Sequence, residues 1–220
     1  MARIIPSWTG EVAVSFLTLL LFDVTEFEFK EDAMELSLTV GTHTLRLSAP
    51  NPQWCKALQH ALNASFTAHC EFLPWAKPYT TEDEARSFLV RAVDEFKSET
   101  GERRLFIVDD TAHAIIGCIG LKPRRRNCYV VGYWANTEYS GKGYMRTALK
   151  ELIKSLPGFT FYLTIDVANV ASQRLADAAG FGLIRKCYQA RCSQQHGEQE
   201  YLYRLKCLQK LPKVSPALAT

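Results

Sequence analysis

The stretch from Cys128 to Leu156 changes its hydrophobic period midway, and that change restricts the fold more than any other feature of the chain. Cys128 to Ala135 is a strand-length run of apolar and aromatic residues. After Ser140-Gly141-Lys142-Gly143, the apolar residues return as Met145, Ala148, Leu149, Leu152, Ile153 and Leu156, the spacing of one helix face, and Pro157-Gly158 stops the pattern. A strand that passes through two glycines into an amphipathic helix predicts a mixed α/β protein. It also leaves backbone N–H groups converging at a helix start, where the helix dipole favours a phosphate or pyrophosphate group. The glycines match neither the G-x-x-x-x-G-K-[ST] nucleotide loop nor the G-x-G-x-x-G dinucleotide pattern. A tight turn without a ligand explains them equally well at this level.

The flanking sequence extends the α/β pattern on both sides. Residues 1–41 predict an N-terminal strand extension packed on the core: an apolar run from Val12 to Phe22, then Phe27 and Phe29, then Leu36, Leu38 and Val40, each alternating with polar residues. Residues 42–211 form the main domain, and residues 212–220 a flexible tail. Within the domain, Leu45-Arg46-Leu47 reads as a strand, and a helix after Pro52 carries Trp54, Leu58, Ala61 and Leu62. A chain turn follows at Leu73-Pro74-Trp75. Thr81 and Glu84 form a capping box for a second helix bearing Ala85, Phe88, Leu89, Ala92, Val93 and Phe96. Strands are expected at Leu105 to Val108, Ala114 to Leu121 and Cys128 to Ala135, the last two separated by a basic turn from Lys122 to Asn127. A strand from Phe159 to Val167, a helix from Asn169 to Ala179, and an antiparallel pair at Phe181 to Ala190 and Glu200 to Lys206 complete the chain.

Composition excludes several classes of function. A net charge of +3 in 220 residues is too small to argue for wrapping nucleic acid or coating a membrane. Val12 to Phe22 is shorter than the roughly 20 residues of a spanning helix and lacks the frame of a signal peptide. The seven cysteines show no C-x-x-C pair and no histidine at zinc-site spacing, which predicts no metal and a reducing, cytoplasmic setting. The five histidines are scattered, against a Ser-His or Cys-His hydrolase. Arg124, Arg125 and Arg126 with Lys122 read as a solvated turn, with RNA contact as the alternative.

Five pieces in order carry a resemblance: Gly132-Tyr133-Trp134-Ala135, Tyr139-Ser140-Gly141-Lys142-Gly143-Tyr144-Met145, Thr147-Ala148-Leu149, Asn169-Val170-Ala171-Ser172 and Ala179-Gly180-Phe181. Over about Leu45 to Leu205 the chain resembles GNAT-superfamily N-acetyltransferases of the ribosomal-protein N-terminal (RimJ/RimL-like) branch, which Leu73-Pro74-Trp75 and the capped helix also match. The resemblance implies a mostly antiparallel mixed sheet flanked by helices and splayed where acetyl-CoA enters. It places pantetheine along the strand of Tyr133 and Trp134, and the pyrophosphate on the N–H groups of Ser140, Gly141, Lys142, Gly143, Tyr144 and Met145. The family pattern Q/R-x-x-G-x-G/A is departed from at Met145, which is familiar in this branch, and at Ser140, whose short side chain implies weaker cofactor binding with the backbone donors intact.

By the same resemblance, Asn169 contacts pantetheine and Ser172 protonates the leaving thiolate, although the two also read as N-cap and N3 of a helix. Relatives often carry glutamate two residues before the Gly-Tyr-Trp, where this chain has Val130. Asp166 is then the candidate base, with Glu71 as the alternative; Glu71 and Trp75 lie on the acceptor side, and both carboxylates also read as surface or capping groups. Acceptor choice is expected to depend on the loops around Leu73-Pro74-Trp75 and Cys192 to Gly197. The implied acceptor is an amine, in particular a protein N-terminal α-amine. A polyamine, amino sugar or amino acid is the alternative, and Ser140 with Val130 also motivates a non-catalytic acyl-CoA-binding regulator. Either a monomer or a homodimer fits.

Overall fold

Period-two alternation builds eight strands in the described part of the computed structural model, residues 35–125, 127–189 and 198–207. The strands expected before residue 35, Arg126, the Cys192 to Gly197 segment and the tail lie outside the described residues. The strands are β1 (Leu36–Val40), β2 (His43–Ser48), β3 (Arg103–Asp109), β4 (Ala114–Arg125), β5 (Cys128–Ala135), β6 (Thr160–Asp166), β7 (Gly182–Gln189) and β8 (Glu198–Lys206). The helices are α1 (Cys55–Ala64), α2 (Phe66–His69), α3 (Glu82–Lys97), α4 (Tyr144–Lys154) and α5 (Val170–Ala179).

One sheet runs in the order β1-β2-β3-β4-β5-β6-β8-β7. Every pairing is antiparallel except β5 with β6, which is parallel and extends only from Cys128↔Thr160 to Val130↔Tyr162. Beyond Val130, β5 stays with β4 as far as Ala135 while β6 stays with β8 as far as Asp166, so the sheet opens into a gap between them. In the antiparallel alternation, Asn136 N–H bonds to Ile116 C=O. Even-numbered β5 residues therefore exchange hydrogen bonds with β4, and Val131, Tyr133 and Ala135 turn their backbone groups toward the gap.

Two apolar clusters hold the layers. On one face, Ala148, Leu149, Leu152 and Ile153 of α4 and Ala176 and Ala179 of α5 pack on Ile119, Leu121 and Val131. On the other, Leu58 and Ala61 of α1 and Ala85 and Leu89 of α3 pack on Phe106, Cys118 and Trp134. The capping box of α3 forms as the sequence predicts: Glu84 N–H donates to Thr81 Oγ1 at 3.2 Å, and Thr81 N–H donates to Glu84 Oε2 at 2.8 Å.

Local structure differs from expectation at three points. Lys122 to Arg125 belong to β4 rather than to a turn, because cross-strand pairing continues through Lys122↔Val130 and Pro123↔Tyr129, leaving Asn127 at a φ of 54° to complete the reversal. A short helix, α2, follows α1 before the turn at Leu73-Pro74-Trp75, in a stretch to which the sequence assigns no element. Leu36–Val40 pairs along its length with β2 and sends Leu38 into the core, so this part of the expected extension is, among the described residues, the outermost strand of the main sheet.

Candidate active site

Past the end of β5 a single 3-10 turn over Thr137–Tyr139 leads into the glycine loop. Gly141 and Gly143 hold φ of 77° and 81°, the left-handed region that glycine enters without penalty. Gly143 is the N-cap of α4 and offers no side chain to its first turn. Among the described residues, the N–H groups of 141–146 have no hydrogen-bond acceptor, so consecutive donors point outward at a helix N-terminus. Ser140 departs from the expectation: its N–H is bonded to Thr137 C=O at 3.2 Å and is not a free donor. Lys142 Nζ lies 5.0 Å from the centre of the Tyr139 ring. Tyr144 is buried in the core beside His43, and Met145 packs on the same cluster, so these two offer backbone rather than side chain to a ligand.

The gap between β5 and β6 opens on a cleft of about 280 Å³. Its walls come from the 70–74 loop, from Glu102, Lys122 and Arg124, from β5 (Val130 to Tyr133), from β6 (Leu163 to Asp166), from Asn169 and Ser172 of the α5 start, and from Glu200. Glu71, Tyr133, Asp166, Asn169 and Ser172, all singled out in the sequence, thus meet in one place.

Their bonding assigns each a different part. The Tyr133 hydroxyl lies 2.8 Å from Ser172 Oγ and 3.2 Å from the Ser172 carbonyl, to which it donates. Burial pushes the Tyr133 phenol up to about 12, against a smaller opposing effect of its bond to Ser172, so it keeps its proton at neutral pH. Asn169 Oδ1 accepts the Ser172 N–H at 3.0 Å and so fixes the start of α5. Asp166, which lines the cleft, accepts the Ala168 N–H on Oδ1 at 2.7 Å, a turn-closing bond. Glu71 is exposed at the rim.

Two residues expected at the site lie elsewhere. The Trp134 side chain is buried among α1 and α3 on the far face of β5, and Trp75 packs edge-on against His69, 6.1 Å between ring centres, outside the cleft wall. His69, which the sequence did not mark, joins the two tryptophans. It donates from Nε2 to Ala135 C=O at 3.0 Å, and burial depresses its pKa, so it is a neutral structural tie behind β5. Glu102, Lys122 and Arg124 also went unmarked as cleft residues. They carry no spacing signal, and only the strand register brings them there.

Residues 44–182 match the model of the acetyltransferase (GNAT) domain. No curated protein matches significantly. Known structures share the fold. RimL, the ribosomal L7/L12 alpha-N-protein acetyltransferase in complex with coenzyme A, superposes with a TM-score of 0.67 at 19% identity, over 78% of this chain and 98% of its own. The microcin C7 self-immunity acetyltransferase MccE, in complex with acetyl-CoA and AMP, gives 0.67 at 20% identity over 76% and 94%. The ribosomal-protein-S5-alanine acetyltransferase from Vibrio fischeri gives 0.64 at 17% over 78% and 97%. With the domain match covering most of the chain and a sheet opened beside a glycine-capped helix, the protein belongs to the GNAT acetyltransferase family.

Proposed function

We propose that the protein moves the acetyl group of acetyl-CoA to the α-amine of a protein N-terminus, with donor and acceptor bound together. The observation that carries this reading is the gap along β5, bordered by the free N–H groups of 141–146 past its end and by the Tyr133–Ser172 hydroxyl pair at its middle. These features fit the cosubstrate: the gap-facing backbone of Tyr133 suits the amide arm, and the α4 start suits the pyrophosphate. Acetyl-CoA supplies an acetyl thioester activated toward nitrogen nucleophiles. The chain's own residues orient the amine, hold water away and keep a proton at the Tyr133–Ser172 pair for the departing sulfur. Glu71, Glu102, Asp166 and Glu200 outnumber Lys122 and Arg124 around the cleft, which suits a cationic ammonium acceptor. The α-amine of a protein is favoured over a small amine because fold neighbours include acetyltransferases of ribosomal proteins.

The test is release of CoA thiol from acetyl-CoA with peptides bearing free N-termini, polyamines and aminoglycosides, beside calorimetric titration of acetyl-CoA. Turnover on peptides supports the reading, and turnover on small amines alone corrects the acceptor. Binding without turnover on any amine replaces transfer with acyl-CoA sensing.

A further inference from the structure

Glu102 is the one deeply buried carboxylate in the described cleft wall, with 8% of its surface exposed. The β3–β4 register, with Arg103 opposite Leu121, sets Glu102 level with Lys122, which in turn pairs with Val130 of β5. Arg104 holds it: Nη2 donates to Glu102 Oε2 at 2.6 Å, while Nη1 pairs with Glu95 of α3. The other oxygen, Oε1, lies over Gly120, so close that a Cβ built there would be 2.1 Å from it. Gly120 pairs directly with Gly132, a cleft residue on the gap side of the sheet. Two side-by-side glycines thus leave a lane without side chains from Oε1 across β4 to the edge of β5.

We propose that Glu102 receives the acceptor's ammonium group and removes its proton, a role that rests on the acetyl-transfer reading above. An N–H bond of the ammonium breaks, its electron pair stays on nitrogen as the attacking lone pair, and an O–H bond forms on Glu102. The proton then leaves to solvent through the cleft. Burial and the neighbouring Glu95 raise the carboxyl's affinity for a proton, while Arg104 and Lys122 keep it from being lost as a charge. Glu71, Arg124, Asp166 and Glu200 also face the cleft, and the buried Cys118 near Arg104 remains a neutral thiol. Asp166 is less suited, because it is only half-buried and lacks the burial that raises proton affinity at Glu102.

The experiment measures kcat/KM against pH in the full chain for wild type, Glu102→Gln and Glu102→Asp. One acceptor is a peptide amine, protonated at neutral pH, and the other is an acyl hydrazide, which is not. Acetyl-CoA affinity is titrated in parallel. Glu102→Gln should lose about 10²-fold or more on the peptide amine, recovering as pH rises toward the amine's own pKa, with far smaller loss on the hydrazide and unchanged acetyl-CoA affinity. Glu102→Asp keeps the charge beside Arg104 and should retain the acidic limb of the profile at reduced rate, which keeps the test decisive should the glutamine variant not fold. Wild-type rates and an unchanged acidic limb, or equal losses on both acceptors, overturn the role of Glu102 while leaving acetyl transfer standing. Wild-type protein that binds acetyl-CoA and acetylates neither acceptor overturns acetyl transfer itself.

Discussion

The two ends of the gap between β5 and β6 are built from different material. Past the end of β5, the glycine loop and the first turn of α4 present backbone N–H groups from six consecutive residues, 141–146, and their side chains lie in the core or in solvent. Around the middle of β5, the cleft is made of side chains delivered by the 70–74 loop, Glu102 just before β3, β4, β6, the start of α5 and β8. A backbone-made site depends on φ and ψ and tolerates changes of side chain. A side-chain-made site depends on charge and register, and each member needs a partner to survive burial.

The sharpest way to break this contrast is Arg104→Met. It leaves Glu102 and Glu95 without their shared counter-ion and should cost about 3–5 kcal/mol in a urea titration. The pH dependence carries a definite sign. The folded-state pKa of Glu102 is raised, chiefly by burial, so its charged form opposes folding above that pKa, and the opposition fades as pH falls through it. The Arg104→Met variant should therefore gain stability on mild acidification. Glu84, held low by Lys77, and Asp110, held low by Arg46, contribute in the opposite sense: their stabilisation is present above their unfolded pKa values and is lost as pH falls through the lowered folded ones. A variant whose urea midpoint falls steadily with acid would show that Glu102 carries no buried charge.

At the other end, Gly143→Val places a β-branched residue at a φ of 81°, a strain of about 1–2 kcal/mol, and blocks the approach to the α4 donors. Calorimetry should show acetyl-CoA affinity lost by about 10²-fold or more in a folded protein, whereas Lys142→Ala at the same loop changes far less. Wild-type affinity in folded Gly143→Val refutes a phosphate site there. Ser172→Ala is the converse: turnover should drop by about 10²-fold with acetyl-CoA affinity retained. Adding Tyr133→Phe should cost little more than either change alone, because the two hydroxyls share one bond. Additive losses would mean that they act separately.

The smallest effect is expected at Thr81→Ala. Removing the α3 cap should cost about 1 kcal/mol and leave kcat and acetyl-CoA affinity unchanged, since α3 braces the face of Trp134 and Arg104 without entering the cleft. A change in kcat would tie α3 to the site.

Sequence patterning went far toward the fold. The α3 capping box, the glycine start of α4 and the Asn169 cap of α5 are each written in a few neighbouring residues, because caps are local hydrogen-bond problems. Patterning stopped Ala114 to Leu121 too early, at the polar Lys122, because it took charge as a sign of a turn. The ladder to β5 carries the strand on to Arg125. At the site, Tyr133 and Ser172 were legible through resemblance, yet their mutual hydrogen bond was not, since 38 intervening positions hide any spacing. Glu102 was invisible for the same reason.

By itself, the sequence determined the order of elements, the buried face of each and the place where backbone donors gather, since periodicity, caps and glycine torsions are properties of adjacent residues. Tertiary structure alone decided that β5 and β6 part after Val130, that Gly120 lies beside Gly132, and that Glu102 reaches a cleft shared with Ser172. Those facts follow from the register between strands distant in the chain, which is fixed by how both faces of the sheet pack against their helices.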